Sequence, residues 1–379
     1  MVIQSFLPVL GGAQRQVDLL GPLLGERGVD LTVITRRPPG TARREQRAGL
    51  KVRRMPGPDR GPLGSVSYTA AGALSLARLR PDVVHVHDLL SPATIALLSR
   101  PLAPAPVVAK VLSTGPGGDV DRLLTKPLGA RRLRAMASSF SAFVCLSDDV
   151  AQELRAHGVR EGRLRQIPNG VDVECFRPAE PRERQRERAR LGLRAKGPVA
   201  LYTGRFAPVK QLDQLIGAVS EVRELSLLMV GEGSEEARLR GLVADLGLED
   251  RVSMLPSVPD PAPLYRAADF YASASTTEGM SNSVLEAMAS GLPVVAMSAS
   301  GMGELVSQAT GTLVPNGDVP ALAAALRALA LEPERRRTLG SAARDFVADR
   351  YSLGFVADCL RDLYEEVLSG SGARRRGRG

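Results

Sequence analysis

The stretch IPNGVDVECFRP, residues 167–178, decides how the chain is partitioned, because it gathers the turn-formers Pro168, Asn169, Gly170 and Pro178. An Arg/Glu-rich segment, PRERQRERARLGLR (181–194), follows it, and GPVALYTGR then opens a fresh apolar strand pattern. The interdomain linker is read here, dividing an N-terminal domain, 1–178, from a C-terminal one, 179–350. Upstream, VIQSF, LTVIT, DVVHVH, VVAKVL and AFVCLS are short apolar runs separated by longer amphipathic stretches. Downstream, VALYTG, LSLLMVG, VSMLPSV, ADFYAS and PVVAMS repeat the pattern. Strands alternating with helices predict parallel sheets, so the fold class is α/β, with two Rossmann-like, doubly wound domains. A terminal helix is expected over 351–368, and the basic Gly/Ser context of 369–379, with Arg374, Arg375, Arg376 and Arg378, reads as a disordered tail.

A length of 379 residues exceeds the usual single core and agrees with two domains. Hydrophobic content of 44% and charge of 24% are ordinary globular values. No apolar run approaches the roughly 18 residues of a membrane-spanning helix. The opening MVIQSFLPVLGGAQ lacks a basic leader and is broken by Pro8, Gly11 and Gly12, so it reads as strand and loop rather than signal peptide. Cys145, Cys175 and Cys359 are odd in number and lack metal-ligand spacing, which suits reduced thiols in a cytoplasm. The net charge of +9 concentrates in the tail and in 181–194, where a solvated helix face is the plain reading. Aromatics at 4% without Trp argue against nucleic-acid binding. Attraction to an anionic membrane surface stays open.

In open parallel sheets, ligands bind beyond the carboxyl ends of the strands, so the post-strand loops carry the candidates. In EGMSNSVLEAMASG (278–291), Ser283 and Glu286 match a capping box, while a helix starting there also offers free N–H groups to an anion. Gly279 lets the backbone approach a phosphate closely, and Glu278 beside it suits sugar hydroxyls better than phosphate. TGRFAPVKQLDQLI (203–216) places Arg205 and Lys210 on a loop opening a helix, where two cations suit a diphosphate. Asp213 is expected to hold Lys210 through a local pair. LPVLGGAQRQ and VGEGSEEARL fall short of the dinucleotide fingerprint, which disfavours nicotinamide chemistry. HVHD puts His85 and His87 on one strand face beside Asp88; without a third convergent ligand a metal is not expected. His85 reads as a buried strand residue, and His87, at the carboxyl end, as reaching a cleft.

Together these motifs resemble family 4 of the retaining glycosyltransferases, which have the GT-B fold. GGAQRQVDLLGPLLGERGVDLTVIT, PDVVHVHD, IPNGVD, GRFAPVKQLDQLI, VGEGSEEARL and EGMSNSVLEAMASGLPVVA occur in family order over nearly the whole chain. The resemblance implies two Rossmann-like domains facing a central cleft, with a final helix crossing back to the first. It implies a nucleotide-diphosphate sugar, UDP most commonly, held mainly by the second domain and needing no metal or other cofactor. Arg205 and Lys210 would grip the diphosphate, Glu286 the ribose hydroxyls and Glu278 a hydroxyl of the donor sugar. Backbone around Gly279, Met280, Ser281, Asn282, Ser283 and Val284 would face the phosphate and sugar, Ser257 and Val258 the base, and Gly11 and Gly12 the diphosphate. Transfer would then be front-face, the departing diphosphate acting as base, with Glu278, Arg205, Lys210 and His87 as the catalytic candidates.

Two departures stand out. Many members carry a histidine after the fourth or fifth strand, but here VVAKVLSTGPGGDVDR has none, and Lys110, Ser113 and Thr114 stand nearby. The first strand also begins later than in most members. The first domain should hold the acceptor, with His87, Asp88, Ser113, Thr114, Asp119 and Asp121 as candidates. Asp119 and Asp121 favour a cationic or polyhydroxylated soluble acceptor such as an aminocyclitol or amino-sugar. A glycan or lipid-linked acceptor is the other reading, since Leu123, Leu124, Leu128 and Leu133 mixed with Arg122, Lys126, Arg131, Arg132 and Arg134 could lie on an anionic bilayer. The expected location is the cytoplasm, with peripheral contact at the inner membrane face in that second case. The rival functions are a nucleotide-sugar epimerase or hydrolase on the same fold and a non-catalytic nucleotide-sugar sensor.

Overall fold

The structure, a computed structural model, describes residues 1–9, 11–57, 61–193 and 197–376, with backbone alone for 62 and 371–376. It divides into two compact units: Met1–Gly170 with Leu353–Gly379, and Val171–Ser352.

The first unit is built on an eight-stranded sheet of β1 (Val2–Ile3), β2 (Thr32–Arg36), β3 (Arg44–Arg47), β4 (Leu50–Met55), β5 (Val84–His87), β6 (Val107–Val111), β7 (Ala142–Cys145) and β8 (Leu164–Gln166). The order is β3-β4-β2-β1-β5-β6-β7-β8, parallel except for the β3–β4 hairpin at the edge. That hairpin escapes the sequence pattern because REQR and LKVRRM are charged. In β4, Leu50 and Val52 face inward, and the third inward position is Arg54, buried and paired to Glu45 at 2.6 Å. Apolar side chains of the central strands are buried on both faces, between helices on either side, as parallel sheets require.

The second unit has a six-stranded, wholly parallel sheet: β9 (Val199–Thr203), β10 (Ser226–Val230), β11 (Val252–Leu255), β12 (Phe270–Ser273), β13 (Val294–Met297) and β14 (Gly311–Val314), ordered β11-β10-β9-β12-β13-β14. The progression reverses between β9 and β12, which makes their carboxyl ends the topological switch point.

The boundary lies at 170/171 rather than 178/179. Gly170 is held in the first unit by Gln16, whose side-chain amide donates to its carbonyl at 2.7 Å and accepts from its N–H at 2.8 Å. Val171, by contrast, donates to the Tyr351 carbonyl, and Phe176 packs edge-on against Tyr265 at 5.3 Å. The Arg/Glu segment is also more than a solvated face. In the helix Pro181–Arg190, Arg188 binds Asp269 at 2.5 Å, and Asp269 in turn accepts the Val199 N–H that starts β9.

The last helix, Leu353–Arg376, belongs to the first unit. Arg27 pairs with Asp358 at 2.9 Å, and Tyr364 meets His85 at 2.7 Å. Its backbone stays helical through Arg374, Arg375 and Arg376, where the sequence reading placed a disordered tail; Arg378 lies outside the described residues.

Candidate active site

At the switch point of the second unit, two loops meet. The first leaves β9 through Gly204 and Arg205. It is laced to the loop after β10 by Gly204 N–H to the Val230 carbonyl (3.0 Å), Phe206 N–H to Glu232 (2.9 Å) and Glu235 N–H to Phe206 (3.1 Å). This explains the glycines of VGEG without a nucleotide fingerprint. A Cβ at Gly231 would sit 1.8 Å from the Gly204 carbonyl oxygen, and one at Gly233 2.1 Å from that of Phe206. The approach leaves Arg205 exposed, with no acidic partner among the described residues, and sets Lys210 at the end of the turn Pro208–Lys210.

The second loop leaves β12. The Thr276 N–H and hydroxyl both bind the Val209 carbonyl, at 3.1 and 3.2 Å. Two residues on, the Glu278 carboxylate accepts from Lys210 Nζ at 2.5 Å, both side chains being mostly buried. Lys210 therefore answers to Glu278 rather than to Asp213, which pairs with Arg238 at 3.5 Å. A partner 68 residues away prevails because it lies across the switch point, whereas Asp213 belongs to the first turn of the following helix.

The helix that follows, Asn282–Ala289, is capped by Ser281, whose hydroxyl accepts from the Val284 N–H at 3.4 Å. The cap therefore lies two residues before the expected Ser283. Ser283 instead donates to the Thr203 carbonyl at 2.9 Å, and Glu286, 7% exposed, accepts from the Tyr265 hydroxyl at 2.7 Å. Gly279 and Met280 are buried beneath the loop, and Asn282 and Ser283 are half-buried at the helix start. Ser257 is exposed and Val258 half-buried just beyond β11, on the same carboxyl edge of the sheet.

Sequence reasoning missed the residues that join these parts. Thr203 ends β9, and its hydroxyl lies 2.6 Å from that of Tyr265. Its carbonyl accepts from both Ser283 and Tyr271, the latter at 3.1 Å. Tyr265 and Tyr271 stack at 6.4 Å. Burial, then the nearby Glu286 charge, holds the Tyr265 phenol protonated well above its ordinary range. The available signal was weak: a tyrosine amid the apolar positions of PAPLYRAADF reads as core.

The first unit carries the remaining candidates. Gly11 caps the helix Gly12–Glu26, and both glycines are exposed. His87 does not reach solvent: it is 3% exposed, stacked on His85 at 4.6 Å, and neither ring nitrogen has a hydrogen-bond partner. Burial, then His85 and Lys110, push its pKa well below the usual histidine range, so the ring is neutral. The reason is register, since His87 pairs with Ile3 and Lys110 inside the sheet rather than ending beyond it. Lys110 is itself buried, lowered to about 8 by burial, and donates to Asn169 at 2.8 Å.

Asp88, in the left-handed region at φ 81°, accepts the Leu90 N–H at 2.8 Å; burial and then Asp119 raise it to about 8. Asp119 is buried, accepts the Leu112 N–H at 2.8 Å and is raised by burial to about 6. Asp121 is exposed and accepts the Gly117 N–H. These two aspartates brace the loop holding Ser113, half-buried, and Thr114, buried. In the helices Asp119–Leu124 and Gly129–Ser139, Leu123 and Leu133 are core, and Leu124 and Leu128 are exposed with Arg122, Lys126, Arg131 and Arg134.

Among the described residues no group of three or more His, Cys, Asp or Glu is arranged to hold a metal ion, and no helix is long and apolar enough to cross a membrane. The chain thus has two doubly wound units, the second of which gathers cations and carboxylates at its switch point. Residues 10–175 match the model for Glycosyltransferase Family 4, and residues 183–346 that for Glycosyl transferases group 1. The chain is 32% identical over 397 residues to a D-inositol 3-phosphate glycosyltransferase of Saccharomonospora viridis, covering 95% of this chain and 90% of that protein. It is 29% identical over 268 residues to a GDP-mannose-dependent monoacylated alpha-(1-6)-phosphatidylinositol monomannoside mannosyltransferase of Corynebacterium glutamicum, covering 68% and 70%. Sucrose-phosphate synthase from Thermosynechococcus elongatus superposes with a TM-score of 0.83 at 25% identity, over 97% and 99% of the two chains. The chain belongs to the GT-B glycosyltransferases and is a hexosyltransferase.

Proposed function

We propose that the protein transfers a hexose or amino-hexose, with retention, from a UDP-sugar to a hydroxyl of a phosphorylated, inositol-like polyol, and that it does so in the cytoplasm without a metal ion. The observation that carries the donor half is the meeting of Lys210 and Glu278 across the switch point, 2.5 Å apart, with Arg205 exposed beside them. Arg205 and Lys210 receive the diphosphate, Glu278 a sugar hydroxyl and Glu286 the ribose. As the sugar–phosphate bond breaks on the face that the acceptor attacks, the diphosphate oxygen gains charge and takes the acceptor proton. Both cations and the N–H groups at the start of the helix Asn282–Ala289 stabilise that charge, Lys210 once the diphosphate has drawn it from Glu278. The names of both relatives contain a phosphorylated inositol, which supports the acceptor class.

The test has three parts. UDP-, GDP- and ADP-sugars are compared by thermal shift. The best is incubated with D-inositol 3-phosphate in EDTA, and the anomeric configuration of the product is read by proton NMR. An α-linked product from an α-linked donor is expected; an inverted product, or free sugar at full rate without acceptor, refutes the reading. Flotation with anionic liposomes at low salt addresses the second acceptor class, a lipid-linked glycan, which the exposed Leu124, Leu128 and surrounding arginines favour. Binding there would move the acceptor to the lipid class.

A further inference from the structure

The proposed ribose contact of Glu286 is one end of a buried hydrogen-bond chain whose polarity can be worked out. The Tyr265 hydroxyl has one proton and lies 2.7 Å from Glu286 Oε2 and 2.6 Å from Thr203 Oγ1. A carboxylate only accepts, so the phenol proton goes to Glu286. With that proton committed, the phenol oxygen can only accept across its 2.6 Å contact with Thr203, so the Thr203 hydroxyl is the donor there. The chain therefore runs from Thr203 to Tyr265 to Glu286, every proton pointing at the carboxylate. The Tyr265 ring cannot swing away: it is fully buried, with Phe176 edge-on at 5.3 Å and Tyr271 stacked at 6.4 Å. Thr203 is fixed equally, its carbonyl held by Ser283 and Tyr271.

We infer that Tyr265 and Thr203 are positioning residues for nucleotide selection. Through a donated hydrogen bond they fix the Glu286 carboxylate in the rotamer that meets the ribose, so that discrimination for ribose hydroxyls depends on a tyrosine that never touches the ligand. Chain polarity keeps Glu286 an acceptor, which suits it to ribose O–H donors. The inference rests on the assignment of Glu286 to the ribose.

The experiment uses the full chain and calorimetric titration of UDP, or GDP if that binds better, against its 2′-deoxy counterpart. Wild-type protein should prefer the ribonucleotide by roughly tenfold or more, the worth of a hydrogen bond to a charged group. Glu286→Ala, which leaves no acceptor, should collapse that ratio, and Tyr265→Phe, which removes one oxygen, should shrink it at least several-fold while 2′-deoxy binding barely changes. Thr203→Val, nearly isosteric, should produce a smaller shift the same way and keeps the test alive if Tyr265→Phe folds poorly. Equal loss for both nucleotides, or an unchanged ratio in both variants while Glu286→Ala abolishes it, would overturn the positioning role alone. No ribose preference in wild type, or one that survives Glu286→Ala, would overturn the assignment of Glu286 and this inference with it.

Discussion

Replacing Glu278 by Gln should tighten binding of the bare nucleoside diphosphate, although it removes a group from the donor site. In the empty protein Lys210 is already engaged by Glu278 at 2.5 Å, with the two side chains 18% and 15% exposed. A diphosphate can claim Lys210 only by displacing that carboxylate or by accepting its repulsion. A charge-assisted hydrogen bond contributes about 1.5–3 kcal/mol. Gln retains a neutral acceptor worth about 1 kcal/mol, so about 0.5–2 kcal/mol is released. That predicts Kd for the nucleoside diphosphate falling by about two- to thirtyfold in calorimetry at low salt. The intact nucleotide sugar should respond in the opposite sense, because its sugar hydroxyl loses a charged acceptor. Affinity for the diphosphate that stays level or weakens in Glu278→Gln would refute the competition argument. Shifts of one sign for both ligands would refute the division of labour between Glu278 and Lys210.

Lys210→Ala should lower kcat by about a hundredfold or more with little change in acceptor KM, as for loss of a group that stabilises charge in the transition state; unchanged turnover would exclude Lys210 from the chemistry. Gly231→Ala should cost roughly 2–4 kcal/mol in urea unfolding, because its Cβ would collide with the Gly204 carbonyl at φ 157°. Gly241→Ala, in the open middle of the helix Glu236–Asp245, should stabilise by about 0.5–1 kcal/mol. Asp88 keeps its proton up to about pH 8 in the fold and to about pH 4 in the unfolded chain, so between these values the fold binds the extra proton and its stability falls as pH rises. Asp88→Asn keeps an acceptor for Leu90 and tolerates φ 81°, so its melting temperature should pull ahead of wild type from about pH 4 to about pH 8 and level off beyond. A difference that does not change with pH would show that Asp88 ionises normally.

The α/β class was legible because strand and helix periods are local, and Arg205, Lys210 and Glu278 stood out as candidates because they lie in post-strand loops, whereas Glu286 is buried within the helix Asn282–Ala289. What escaped depended on distance in the chain. Lys210 finds Glu278 and Tyr265 finds Glu286 only once the sheet order sets β9 beside β12, and no spacing along the chain encodes that order. Asp213 looked the better partner because it was near in sequence. His87 was misread for a related reason: a strand's end in sequence is not its end in register. The boundary was displaced because turn-formers mark where the chain bends, not which core claims the residues after the bend.

The closing helix has a consequence for how the molecule is made. Leu353–Arg376 supplies Val356, Leu360, Leu363, Tyr364 and Val367 to the same core as Ile3, Val17, Leu24 and Val144. Translation delivers these partners only after every residue of the second unit has been made. Val171–Ser352 is thus a continuous guest inserted into a host whose core stays open until the helix Leu353–Arg376 has been made. A nascent chain halted anywhere before 353 exposes that gap, whereas the guest has all its own strands in hand. For this protein the order of synthesis and the order of completion are reversed.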